Sequence, residues 1–201
     1  DDSASRGLGD VYKRQGISAE IAIDNIDTDQ IIPTEYLKSI KKYGFGDFLF
    51  DGWRYKDEGN IQKDTSQREQ NEDFILNIDP YNKSKILVVG KNFGCGSSRE
   101  HAVWALRDFG IECIIAESFG DIFYNNCFKN GILPIQISQD KKNHVSEHIK
   151  ENKNLRVDLT NQSIQLESSE IQFEIEESLK ERIILGQDDI DITLGLSLIH
   201  I

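Results

Sequence analysis

The chain has 201 residues, with 35 acidic against 23 basic side chains and a formal net charge of −12. A surface this acidic argues against a nucleic-acid partner, which needs a basic face. No apolar run is long enough to span a bilayer and no signal peptide is recognised, so no membrane partner is expected; about 180 residues suit one domain with its own core.

Both ends are set aside before the fold is read. The six residues from Asp10 to Gln15 can be encoded by a DNA stretch whose reverse complement encodes the six from Leu196 to Ile201. Two unrelated protein ends should not be related in this way, and the DNA resembles a transposase sequencing adapter. Residues 1–15 and 196–201 are therefore read as adapter-derived scars on a fragment of a longer chain, and residues 16–195 as a single domain.

The first predicted element is a short strand over 20–23, followed by a turn-rich acidic loop over 24–29. Pro33 closes that loop, and Thr34 is expected to cap a short helix through Tyr36, Leu37 and Ile40. Residues 41–55 are rich in aromatics and glycine and read equally as a packed loop or as the wall of a binding site. Residues 57–73 are polar without periodicity and are expected to be mobile. A short element over 74–78 docks on the core.

A strand over 85–89 then feeds a glycine turn that opens into a helix over 98–109, closed by Gly110. A strand over 111–116, a helix from Ser118 and Asp121 to about Gly131, and a strand over 133–137 complete a β-α-β-α-β unit. That order implies a parallel sheet with right-handed crossovers. Ser138 caps a polar helix to about Lys150, three alternating segments over 155–158, 163–166 and 171–175 read as strands, and a last helix over 177–185 ends at Gly186. The fold class is α/β, with additional antiparallel strands beside the parallel unit.

Three cysteines, Cys95, Cys113 and Cys127, form no C-x-x-C pair and point to reduced thiols in a cytoplasmic protein. No cluster or zinc site made by this chain alone is expected. His144 and His148 have i, i+4 spacing but lack a metal motif, and are read as surface residues.

The chemistry concentrates in the turn from Lys91 to His101, KNFGCGSSREH. A strand-turn-helix of this kind aims backbone N–H groups and a positive dipole end at one spot. Ser97 and Glu100 match the S-x-x-E capping box, and taken alone Ser97 need be no more than a cap. A plain cap, however, does not need Gly94, Cys95 and Gly96 before it, a second serine at 98, and Arg99, whose fork can hold a carboxylate. The phosphate loop, the dinucleotide fingerprint and the hydrolase elbow all fail to match.

The segments 92–101 (NFGCGSSREH), 27–33 (DTDQIIP), and 118–126 (SFGDIFYNN) with Gly131 to Pro134 together resemble the swivelling domain of the aconitase superfamily. They occur in the family's order, and the likeness covers about residues 21–194. Chains of this length, with Gly44-Phe45-Gly46 and Trp53-Arg54, resemble the free-standing small subunits of that family. The resemblance implies a hydro-lyase that isomerises 2-isopropylmalate to 3-isopropylmalate through dehydration and rehydration, in leucine biosynthesis. Citramalate or homoaconitate processing, or a non-catalytic anion-binding module of the same fold, are the alternatives.

It further implies a heterodimer or higher assembly in which a large iron–sulfur subunit carries a [4Fe-4S] cluster and this chain binds no cofactor. Carried over residue by residue, Ser97 is the base, Ser98 and Arg99 contact the carboxylates of a small dicarboxylate substrate, and Asp29 orients a partner histidine. Lys38 lies in the segment the family uses to distinguish substrate side chains. Glu100 and His101 are read as supports for the turn.

Overall fold

Three apolar runs, buried along nearly their whole length, lie side by side as parallel strands, and a less apolar first strand joins them. In the computed structural model, which describes residues 13–38 and 43–185, they are β1 (Lys13–Ile21), β2 (Ile86–Val89), β3 (Cys113–Ala116) and β4 (Leu133–Gln136). Three more strands, β5 (Asn154–Asp158), β6 (Ser163–Gln165) and β7 (Glu170–Gln172), extend the same sheet as an antiparallel meander. The sheet order is β4-β3-β2-β1-β5-β6-β7. β1 is the seam: Ser18 to Ile21 run parallel to Ile86 to Val89, while Lys13 to Ile17 run antiparallel to Asp158 to Asn154. The α/β class with its parallel unit and added antiparallel strands is as the sequence implies.

β1 begins at Lys13 rather than at residue 20. Its first residues, Lys13 to Gln15, belong to the segment read as adapter-derived, yet they pair with Asp158, Val157 and Arg156. A ladder is made by backbone groups, so half-exposed positions at a strand's outer end accept many side chains.

Among the described residues six α-helices pack around the sheet: α1 (Thr28–Ile31), α2 (Asp51–Arg54), α3 (Glu100–Phe109), α4 (Asp121–Lys129), α5 (Gln139–Glu151) and α6 (Glu177–Leu185). Alternation along the strands divides the core. Leu87, Val89, Ile114 and Ala116 face α3 and the aromatic segment on one side. Ile86, Val88, Ile115 and Ile135 face Val145 and Ile149 of α5 on the other. The last helix is described as far as Leu185; Gly186, expected to end it, lies outside the described residues, as does Ile40.

The aromatic segment takes the packed-loop reading, and the polar segment after it departs from expectation. Residues 43–55 form one wall of the core, with Phe45, Leu49 and Phe50 buried and Phe45 packed edge-on against His101. The 57–73 segment, expected to be mobile, is pinned by a buried arginine. Arg68 pairs with Asp51 through both carboxylate oxygens, donates to the Asp57 carbonyl at 2.6 Å, and stacks 3.9 Å above the Tyr55 ring. Tyr36 donates to the same Asp51 at 2.9 Å. Burial, reinforced by Asp51, pushes the Tyr36 hydroxyl well above the usual tyrosine range, so it remains a donor.

Candidate active site

The carboxyl ends of β1, β2 and β3 lie side by side, the edge where open parallel sheets place ligands. The three loops leaving them are stitched by backbone bonds. Asn25 N donates to Lys91 O at 2.9 Å, Gly94 N to Ile26 O at 2.8 Å, and Thr28 N to Cys95 O at 3.0 Å. On the other side Phe93 N donates to Ser118 O at 3.1 Å and Gly120 N to Phe93 O at 2.9 Å. The three segments singled out in the sequence thus become one contiguous floor.

Two glycines make that floor possible. A Cβ on Gly120 would stand 2.6 Å from the Gly94 carbonyl oxygen. Gly94 has φ +71°, and a Cβ there would stand 2.2 Å from Phe123 Cγ. Gly94→Ala therefore combines an unfavourable backbone with overpacking, and should destabilise the chain by about 2–3 kcal/mol. Urea unfolding checks this, and a change below about 0.5 kcal/mol, the scale of ordinary surface substitutions, would contradict it.

The S-x-x-E pattern at 97–100 does not form a capping box. α3 begins at Glu100, its N-cap is Arg99 in extended geometry, and no side chain caps it. Glu100 instead accepts from Asn130 Nδ2 at 3.0 Å, and the same Asn130 accepts from the Trp104 indole at 3.0 Å. Residues 95–99 are drawn out of the helix because Cys95 and Ser97 meet the 27–28 segment: Thr28 Oγ1 donates to the Ser97 carbonyl at 3.0 Å. The reciprocal capping box lies at Asp27 and Gln30, where it opens α1. Ser118 likewise gives up a cap to accept from Asn92 N at 2.8 Å.

Freed from capping, Ser97 is exposed and its hydroxyl has no partner among the described residues. It lines a cleft of about 240 Å³ with Thr28, Gly96, Arg99, Asp121 and Ile122. Arg99 is largely buried and its Nη1 donates to Asp29 Oδ1; the Nε and Nη2 groups donate to no described residue. Thr34 Oγ1 donates to the same Asp29 oxygen at 2.6 Å. Arg99, then Thr34, hold the Asp29 carboxyl below the usual aspartate range, so Asp29 is ionised at neutral pH. Its Oδ2 has no partner among the described residues.

Ser98 is exposed beside Ser97 but is not among the cleft's lining residues. Lys38 is not brought to the cleft either. It ends the 3-10 turn Thr34–Lys38, is exposed, and belongs to a turn anchored through buried Tyr36 to Asp51. Thr34 serves Asp29 rather than capping that turn. Sequence reasoning missed Thr28, although it stands between the two quoted aspartates of the 27–33 segment, and it missed the Arg99–Asp29 pair, which joins two separate motifs.

The thiols do not fit a cluster. Cys95 sits 3.6 Å from the Asn25 carbonyl and is pushed up by burial and by Asp27, while Cys113 on β3 and Cys127 on α4 are fully buried. Among the described residues no group of three or more His, Cys, Asp or Glu could hold a metal ion. His101 packs against Trp104 with ring centres 4.6 Å apart, and burial lowers its basicity, as befits a support for the turn.

The cleft is thus floored by three βα loops and presents a free hydroxyl beside a carboxylate-held arginine. The chain belongs to the aconitase C-terminal domain family, whose sequence profile matches residues 9–140. Its relatives are more specific. It is 51% identical over 179 residues to the 3-isopropylmalate dehydratase small subunit of Pelagibacter ubique, covering 89% of this chain and 84% of that one. It is 54% identical over 170 residues to the subunit of the same name from Vesicomyosocius okutanii, covering 85% and 82%. The crystal structure of 3-isopropylmalate dehydratase from Methanocaldococcus jannaschii superposes with a TM-score of 0.64 at 26% identity, over 93% of this chain and 96% of that one. No helix among the described residues is long and apolar enough to cross a membrane.

Proposed function

We propose that this chain is the small subunit of a 3-isopropylmalate dehydratase. It acts with a large subunit to interconvert 2-isopropylmalate and 3-isopropylmalate by removing and returning water. The observation that carries the reading is the cleft itself, where an unpartnered Ser97 hydroxyl and an arginine with open N–H groups stand together on the family's motif loop.

Dehydration of a hydroxy diacid requires loss of a proton next to a carboxylate and departure of a hydroxyl. Ser97 is the base for the first task. A free hydroxyl is weakly basic, so its anion needs fixed donors and a cation, which the glycine loop and Arg99 supply. Arg99 holds a substrate carboxylate through its open fork while Asp29 keeps the guanidinium in place. Ser98 adds a second carboxylate contact, and Asp29 Oδ2 accepts from a histidine of the large subunit. Lys38 contributes to selectivity from the neighbouring turn. When bound on the large subunit, a [4Fe-4S] cluster would supply Lewis acidity for departure of the substrate hydroxyl.

The chain is then inactive alone. The test is reconstitution with the large subunit, followed by assay on 2-isopropylmalate, citramalate and homoaconitate. Turnover of 2-isopropylmalate in preference to the others is expected; preference for another diacid, or none, would overturn the assignment. In the same complex Arg99→Lys should raise KM for 2-isopropylmalate about tenfold or more, the scale of one lost charge-assisted bond, because a point charge cannot replace the fork. An unchanged KM would remove Arg99 from the carboxylate site.

A further inference from the structure

Among the residues lining the cleft, the exposed large apolar side chain is one that neither proton transfer nor carboxylate binding uses. Ile122, on the first turn of α4, lines it and is 53% exposed. The other apolar residues of that helix go the opposite way, with Phe123, Cys127 and Phe128 buried in the two core clusters. Around Ile122 the lining is Thr28, Cys95, Ser97, Arg99 and Asp121, with glycines between them. The Phe123 ring also borders the cleft but is held beneath Gly94 and is 3% exposed.

A 2-alkylmalate brings two carboxylates, a hydroxyl and an alkyl branch to this space. The functional reading gives the carboxylates to Arg99 and Ser98 and the hydroxyl to the large subunit, and the branch needs an apolar surface of its own. Ile122 offers one on the same cleft, and its β-branched side chain is stiff about χ1, so little rotamer freedom is lost on contact. The inference rests on the functional reading above and names the substrate feature that this site selects.

We propose that Ile122 is a contact for the substrate's alkyl branch and adds to the preference for isopropyl over smaller groups. Burying the outer methyls of isopropyl against Ile122 favours the larger acid, and a methyl group in its place leaves that surface wet.

The test uses the reconstituted complex with 2-isopropylmalate, 2-ethylmalate and 2-methylmalate. In Ile122→Ala, the ratio of kcat/KM for the isopropyl over the methyl acid should fall about tenfold, with the ethyl acid between, on the scale of one or two lost apolar contacts. The fall should appear mainly in KM, and Ile122→Val should recover most of it. Equal losses on all three acids would make Ile122 an interface or folding residue and overturn the inference, as would an unchanged ratio. Absence of 2-isopropylmalate turnover in the unsubstituted complex would overturn the functional reading first, and is distinguishable because it needs no substitution.

Discussion

Ser97→Ala, in the complex with the large subunit, is expected to lower kcat by about 10²–10⁴-fold, the range for loss of a positioned base. KM should change little, since Arg99 and the loop amides remain. The substitution is structurally mild: Ser97 is exposed, its hydroxyl bonds to no described residue, and the bond that holds this part of the loop runs from Thr28 to the Ser97 carbonyl. A capping serine would behave differently, costing about 1 kcal/mol of stability with little effect on turnover. Unfolding curves and steady-state kinetics on the same sample therefore separate the two roles. A kcat within about threefold of the parent, together with lost stability, would return Ser97 to a structural part.

Arg68→Ala should destabilise the chain by about 3–5 kcal/mol, the cost of leaving one half of a buried ion pair without its partner. Arg68 and Asp51 are 6% and 4% exposed, and the guanidinium also bonds Asp57 and lies over Tyr55. Removing it strands the Asp51 carboxylate with the Tyr36 hydroxyl as its remaining side-chain partner among those described. The double variant Arg68→Ala with Asp51→Asn should be less damaged than the sum of the singles, because the second change removes the stranded charge. Urea midpoints decide it; a loss below about 1 kcal/mol, or strict additivity, would mean that water reaches the pair. The effect should extend to the site, since Tyr36 and Thr34 share one turn and Thr34 bonds the carboxylate that holds Arg99.

Much of this was legible in the sequence because the relevant signals are local. The β-α-β-α-β order, the helix end at Gly110 and the three motif loops each show within a dozen residues. What misled was competition between local and long-range bonds. Ser97 and Glu100 have cap spacing, but the loop gains more by pairing with Thr28, and Glu100 by bonding Asn130. The capping box at Asp27 and Gln30 was equally readable as D-x-x-Q and was hidden by reading the segment as an acidic loop. The 57–73 segment lacks periodicity because one arginine, rather than an apolar face, holds it, and no pattern marks a charge for burial. Lys38 rests on the family resemblance rather than on any local pattern, and the turn that carries it is anchored by Tyr36.

β1 precedes the other described strands, and its pairing is not complete until β5. Its parallel neighbour begins at Ile86 and its antiparallel neighbour at Asn154, so both edges of this strand wait for chain that the ribosome delivers much later. Pairings so distant in sequence carry a large loop-closure cost and form slowly. A nascent chain stalled before residue 154 holds a strand with one flank open, the kind of edge that recruits other strands. Expression without a holding chaperone should therefore lose material to aggregation during synthesis rather than after it.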